Sequence, residues 1–397
     1  MTDISSARRV VIVGAGLAGL RTMEELRRLG FDGDIVMIGD ERHLPYDRPP
    51  LSKDVVRGEN PDTTLRPLSF FSEQRIDLRL GRAAVNLDVD ARTLSLVDGE
   101  VISFDELVVA TGLRPRRLPG SENLAGVHVL RSLDDSRALG ESVGSKNRAL
   151  VIGAGFIGCE VAANLRTLGM EVALVEPQAS PLAAVLGREV GERIGHLHSS
   201  RGVDVRAGVG VRELTQRRGR VTGAVLDDDS RLEVDLVVVG IGSVPATDWL
   251  EGSGVEIDNG VVCDAVGRTS APHVWAVGDV AAWGGADERR RLEHWTSAGE
   301  QARVVAGALL GSHEAPVKQI PYFWSDQYEL KIQALGEVGP MDAVHMIHTE
   351  GDKFLAYYER NGRICGVVGA GLPAQVMRMR SPIAAQAAIA EVLASAR

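Results

Sequence analysis

A chain of 397 residues is longer than one typical domain and has surface enough to bury two or three separate cores. With 44 basic residues against 54 acidic ones, its net charge of −10 argues against a general binder of nucleic acid or of anionic membrane. Cys159, Cys263 and Cys365 are too scattered for a CxxC pair, which excludes a disulfide framework or a cysteine zinc site and fits a reducing cytoplasm, and no apolar run reaches membrane-spanning length.

The opening reads as a strand (RRVVIVG), a glycine turn (GAGLAG, Gly14 to Gly19), a helix ending at Gly30 and a second strand (DIVMIGD), which together make a βαβ unit. The proline-stiffened stretch PYDRPPLSK follows at 45 to 53, and a later strand ends in ELVVATG. The βαβ pattern then returns as RALVIGAGFIGCEVAANLRTLG and EVALVEP. In its helix Ile157, Val161, Leu165 and Leu168 recur at helical spacing, predicting one apolar stripe, and Gly169 is a good residue to end it. The runs RRGR (217 to 220) and RRR (289 to 291) are dense in charge and predict solvated loops or hairpins. Further strands end in DLVVVGIG, before Ser243, and in VWAVGD. From Ile320 alternating aromatic and apolar residues predict an antiparallel sheet, and an alanine-rich helix from Pro382 is expected to close the chain.

Two glycine turns, each after a strand, opening a helix and followed by an acid about 20 residues on, predict two dinucleotide sites. Gly14, Ala15, Gly16 and Gly19 form one turn; Gly153, Gly155 and Gly158 form the other. The glycines let backbone N–H groups approach a pyrophosphate, whose charge the helix N-terminus favours. Glu176 ends its strand with no arginine or lysine until Arg188, so its carboxylate suits free ribose hydroxyls and predicts NADH over NADPH. In the first copy the acid is Asp40 or Glu41, and spacing does not choose. Two dinucleotides in one chain point to FAD at one site and a nicotinamide at the other.

The paired GAGLAG and GAGFIG turns, PYDRPPLSK, ATG, TSAPHVWAVGD and FWSDQ occur in this order, and over nearly the whole chain it resembles the FAD-dependent NADH:ferredoxin reductases of oxygenase electron-transfer chains, of the putidaredoxin reductase and aromatic-ring dioxygenase type. PPLSK and FWSDQ carry this more specifically than the glycine motifs. The resemblance implies a glutathione-reductase-like α/β flavoprotein, with two Rossmann-like dinucleotide-binding domains and a C-terminal α+β sheet domain. It places FAD binding at 1 to 112 and 243 to 318, NAD binding at 113 to 242, and a domain over the flavin at 319 to 397. It implies FAD contacts at Asp40 (with Glu41 beside it), Arg48, Arg82 through its backbone, Thr111 and Gly112 of the ATG turn, Arg131, Gly278 and Asp279. Trp295, and Trp324 with Ser325, are expected to line the flavin pocket. Gly153, Gly155, Ile157, Gly158, Glu160, Glu176 and Gly242 are expected in the NAD groove.

Lys53 matches a lysine at the reactive edge of the flavin, where its charge would offset the negative charge of the reduced ring. Paired with Glu160, it would hold the nicotinamide in line, with Pro49 and Pro50 fixing the loop. Related enzymes that reduce disulfides carry a thiol in the loop that here reads HLPYDRP and has no cysteine. Cys159, at a helix N-terminus but without a partner cysteine, reads as packing, as do Cys263 and Cys365. His196 and His198, two apart on a helix, face different ways and predict no metal site. The implied partner is a small iron–sulfur ferredoxin feeding a cytochrome P450 or a ring-hydroxylating dioxygenase. It would dock on a local basic surface, for which Arg289, Arg290 and Arg291 are candidates, with Arg378 and Arg380 next. The alternatives are rubredoxin, a quinone, monodehydroascorbate or oxygen as acceptor, or a redox-sensing binding protein in the manner of apoptosis-inducing factor, whose targeting and interaction segments are not seen here.

Overall fold

The run from Arg9 to Val13 is β-branched and apolar after its first residue, the composition of a strand covered on both faces. In the computed structural model, which describes residues 9–59, 62–144, 147–284, 289–312 and 320–395, it is the central strand of a five-stranded parallel sheet. The order is Val274–Ala276, Glu106–Val109, Arg9–Val13, Asp34–Gly39, Ile76–Leu80. Alternate residues serve opposite faces. Val10 and Ile12 share a core with Leu20, Met23 and Leu26 of the helix Leu17–Arg28 and with Val305 and Leu309 of the helix Trp295–Leu309. Val11 and Val13 pack on the other face with Leu94, Leu96 and Ile102 of a small antiparallel meander.

The second repeat builds the same sheet from the same pattern. Its order is Asp204–Ala207, Glu171–Glu176, Arg148–Ile152, Leu236–Val239, Val127–His128, again parallel throughout. The RRGR run is the turn of an antiparallel hairpin joining Val211–Arg217 to Arg220–Leu226, with Arg218 and Gly219 both at positive φ (54° and 75°), as a tight two-residue turn requires. Within the helix Phe156–Thr167, Val161 and Leu165 are fully buried, but Ile157 is 45% exposed, so the apolar stripe starts one turn later than its spacing predicts.

The C-terminal segment forms a five-stranded antiparallel sheet ordered Tyr322–Gln327, Leu330–Gly336, Arg363–Ala370, Lys353–Arg360, Ala343–Glu350. Ile332, Ala334, Ala356 and Val368 join one core with Val151, Leu174 and Val238 of the second Rossmann sheet. Leu335 and Val367 face the other way, onto Val376, Ile383 and Val392. The single closing helix expected from Pro382 is instead three short ones, Pro373–Arg378, Arg380–Ala384 and Ile389–Ser395. The break is specific: Gln386 takes a left-handed φ of 48°, and the backbone around Ala387 pairs with the hairpin turn, Ile364 N–H donating to Ala387 and Ile389 N–H to Gly362.

By contacts the chain divides into two compact units: 1–48, 62–114 and 243–318 in one, 49–61, 115–242 and 319–397 in the other. The PPLSK stretch therefore belongs with the second Rossmann sheet and the C-terminal sheet. Among the described residues no helix is long and apolar enough to cross a membrane.

Candidate active site

The two glycine turns have one geometry. A Cβ on Gly14 would lie 2.1 Å from the Ala110 carbonyl oxygen, and one on Gly19 2.0 Å from that of Gly14. The equivalent clashes in the second turn are Gly153 against Gly240 at 2.4 Å and Gly158 against Gly153 at 1.9 Å. These four glycines are demanded by the fold. Gly16 and Gly155 differ: each is the N-cap of its helix, and a Cβ there would meet nothing within 4 Å. Their bareness serves no packing and leaves the helix N–H groups open to approach, which is what a pyrophosphate needs. The residues present therefore fit a dinucleotide at each turn.

The acids after the two turns are held differently. Glu41 accepts from the Tyr46 hydroxyl at 2.6 Å and from Arg48 Nη2 at 2.7 Å, so its carboxylate is occupied by the loop. Asp40, exposed at the strand end, accepts the Glu41 N–H at 2.9 Å. The structure thus separates two acids that spacing leaves equivalent. Glu176 Oε2 accepts the Ala154 N–H of the second glycine turn at 2.7 Å and Oε1 that of Gln178 at 2.9 Å, fixing the carboxylate beside the turn.

In the first unit, Thr111 Oγ1 donates to the Ala246 carbonyl and Ala246 N–H to Gly112, whose φ is 66°. Gly278, at φ 76°, starts the short turn holding Asp279, and its N–H donates to the Gln301 side chain at 2.7 Å; Gln301 is a positioning group the sequence reading missed. Arg82 N–H donates to the Gly39 carbonyl, and its guanidinium pairs with Glu100 at 2.6 Å. Trp295 Nε1 donates to Asp47 at 2.6 Å.

The second unit explains the rigid lysine loop. Pro49–Ser52 is one turn of 3-10 helix, and Lys53 Nζ reaches Glu160 Oε2 at 2.9 Å and the Pro49 carbonyl at 3.1 Å. The Ser52 hydroxyl donates to the same Oε2. Glu160 Oε1 accepts from Ser325 Oγ at 2.8 Å and from Asp326 N–H at 3.2 Å. Side-chain exposure is 13% for Lys53 and 4% for Glu160, so a buried carboxylate has four donors, one of them charged. Asn164, one turn after Glu160, donates to the carbonyls of Ser52 and Glu160, both at 2.9 Å, and Ser136 Oγ donates to that of Leu51 at 2.7 Å. Glu160 and Asn164 at i and i+4 on a helix, with serines in PPLSK and FWSDQ, were the available sequence signals for this cluster. Ser325, expected at the flavin, commits its hydroxyl to Glu160. In the same unit Trp324 stacks on Tyr322 with centroids 6.0 Å apart, Arg131 N–H donates to Asp135 at 3.1 Å, and Gly242, at φ 92°, accepts the Arg116 N–H.

Comparison with known proteins agrees with this architecture. The pyridine nucleotide-disulphide oxidoreductase family model matches residues 8–302, and a reductase C-terminal model matches 322–396. Rhodocoxin reductase of Rhodococcus erythropolis is 37% identical, covering 95% of this chain and 90% of that protein. The ferredoxin reductase component of chlorobenzene dioxygenase from a Cupriavidus species is 40% identical, covering 96% and 94%. The reductase in the crystal structure of the covalent putidaredoxin reductase–putidaredoxin complex superposes with a TM-score of 0.91 at 33% identity, covering 96% and 93%. The chain belongs to the pyridine nucleotide-disulphide oxidoreductase family, among its ferredoxin reductases. It is accordingly an FAD-dependent oxidoreductase that draws on a nicotinamide dinucleotide.

This ferredoxin reductase has no thiol placed for disulfide chemistry. Cys159 is fully buried, its Sγ 3.5 Å from the Ala154 carbonyl oxygen, and burial pushes its thiol far above the usual range despite the helix N-terminus. Burial pushes Cys263 and half-buried Cys365 up to about 12 each. Of the basic triplet, Arg291 turns inward: its guanidinium holds the Asn259 and Asp279 carbonyls and Glu293. Arg289 is half-buried and lies 3.7 Å from Glu256 and from Asp258, while Arg290 is exposed. Arg378 and Arg380 are both exposed. His196 is exposed and His198 fully buried on opposite sides of one helix.

Proposed function

We propose that this reductase takes a hydride from NADH onto FAD and passes electrons singly to an iron–sulfur ferredoxin, which serves a cytochrome P450 or a ring-hydroxylating dioxygenase in the cytoplasm. The observation that carries the reading is the pair of bare glycines, Gly16 and Gly155, one at each helix N-terminus, in a chain whose three thiols are all unsuited to relay electrons. When bound, FAD supplies the conversion of a two-electron hydride into single electrons. Gly14, Ala15, Gly16 and Gly19 would hold its pyrophosphate, with exposed Asp40 at the ribose; Gly153, Gly155 and Gly158 would do the same for NADH.

Glu176, with no basic neighbour in its strand end, binds free ribose hydroxyls and repels a 2′-phosphate. Lys53 provides positive charge for the hydride step, and Glu160 orients both Lys53 and the nicotinamide. Exposed arginines, Arg290 in one unit and Arg378 with Arg380 in the other, are the candidates for receiving an acidic partner. Anaerobic stopped-flow mixing of the yellow protein with each nucleotide tests this. Rapid bleaching of the flavin with kcat/KM favouring NADH is expected; no bleaching, or a preference for NADPH, contradicts it.

A further inference from the structure

Glu160 ends a line of polar groups that the hydride step, as proposed above, does not use. Ser325 Oγ is 2.8 Å from Glu160 Oε1, and Gln327 Nε2 is 3.2 Å from Ser325 Oγ. Gln327 Oε1 is 3.0 Å from His198 Nε2, and His198 Nδ1 is 3.1 Å from the Tyr328 hydroxyl. Ser325, Gln327 and His198 are completely buried and Tyr328 half-buried, so water cannot substitute for the three inner partners.

Elementary chemistry places every hydrogen. A carboxylate paired with Lys53 only accepts, so Ser325 donates to it. The hydroxyl has one hydrogen, so toward Gln327 it accepts, which puts the amide NH2 there and the amide oxygen toward His198. That oxygen needs a donor, so the imidazole carries its proton on Nε2. A neutral ring then leaves Nδ1 as acceptor, and Tyr328 donates to it. Burial supports both states: it pushes the imidazole down to about 4 and the phenol up. Four donors thus point one way, each polarising the next, and all end on Glu160.

The far end is held at a cost to the backbone. Tyr328 lies in the turn between Tyr322–Gln327 and Leu330–Gly336 at φ 55°, a conformation that aromatic residues rarely adopt. The Arg201 guanidinium lies 5.4 Å above its ring and is itself paired with Glu329 and Asp352.

The geometry points to His198 as a positioning residue for Glu160: acting through Gln327 and Ser325, it pins Oε1 and leaves Oε2 to Lys53. The inference rests on the role proposed for Glu160 in the hydride step. Two readouts test it. In 15N-histidine spectra, with His198 assigned by its loss in His198→Gln, the ring should be neutral with its proton on Nε2; a proton on Nδ1 overturns the chain of donors. In stopped flow, His198→Met should slow flavin reduction by NADH about tenfold, and His198→Gln, which keeps a donor toward Gln327, by no more than about twofold. In a Glu160→Gln background, His198→Met should cost less than about 1.5-fold further. An equal loss in both backgrounds overturns the positioning role. If Glu160→Gln alone leaves flavin reduction unchanged, the role of Glu160 fails while the tautomer still reports on the chain. Ser325→Ala, which removes one oxygen from the same line, replaces the methionine variant in the cycle if that variant does not retain FAD.

Discussion

Replacing Lys53 by methionine leaves Glu160 as a buried carboxylate stripped of its only charged donor. Removing one partner of a buried ion pair costs about 3–5 kcal/mol when the other charge is stranded. Here Glu160 keeps Ser52, Ser325 and the Asp326 N–H as neutral donors, and Lys53 is itself partly exposed. The expected loss is therefore smaller, about 2 kcal/mol, in line with removing a charge-assisted hydrogen bond. Glu160→Gln added to Lys53→Met removes the stranded charge and should restore about 1 kcal/mol. Urea unfolding of the wild type, both single variants and the double variant measures this coupling. In parallel, Lys53→Met should slow flavin reduction by NADH about a hundredfold through misplacement and lost charge. Additive stability losses, or an unchanged reduction rate, would refute the argument that the loop exists to hold this pair.

The buried neutral His198 makes stability depend on pH. Its folded value lies near 4, below the ordinary 6.5, so the unfolded chain binds the proton more readily; the contribution is whole above about pH 6.5 and lost as pH falls toward 4. Between about pH 7.5 and pH 5 the wild type should lose about 2 kcal/mol more than His198→Gln in urea unfolding; parallel curves would contradict this. Gly16→Ala and Gly155→Ala should both fold, because a Cβ at either position meets nothing within 4 Å, yet the first should weaken FAD binding and the second should keep FAD while NADH binding weakens several-fold. Flavin absorbance and NADH titration check both. Glu176→Ser should narrow the preference for NADH over NADPH by about one to two orders of magnitude in kcat/KM, since it removes both the ribose acceptor and the charge facing a 2′-phosphate.

Much of this molecule was legible because local chemistry dictates it. A β-branched strand, a glycine turn and an amphipathic helix signal a Rossmann unit whatever surrounds them, and the alternation after Ile320 signals an antiparallel sheet. Glycine spacing also marked both strand–turn–helix junctions, where the backbone passes too close for a side chain at Gly14, Gly19, Gly153 and Gly158. What the sequence did not yield depends on long-range contacts. That the loop ties down Glu41 and not Asp40 turns on Tyr46 and Arg48 folding back onto Glu41. The broken C-terminal helix follows from backbone pairing near Ala387 with a hairpin more than twenty residues upstream. Ser325 reaches Glu160, and His198 reaches Gln327, across separations that no periodicity reveals, and Arg291 looks like surface charge until its inward hydrogen bonds are seen.

The most direct test of the account is NADH-driven reduction of cytochrome c by the purified protein, with and without a catalytic amount of a [2Fe–2S] ferredoxin. The account predicts strong stimulation by the ferredoxin, with electrons leaving one at a time through an iron–sulfur carrier. No stimulation by [2Fe–2S] ferredoxins, in a protein whose flavin NADH reduces rapidly, would contradict it and point to rubredoxin or a non-protein acceptor.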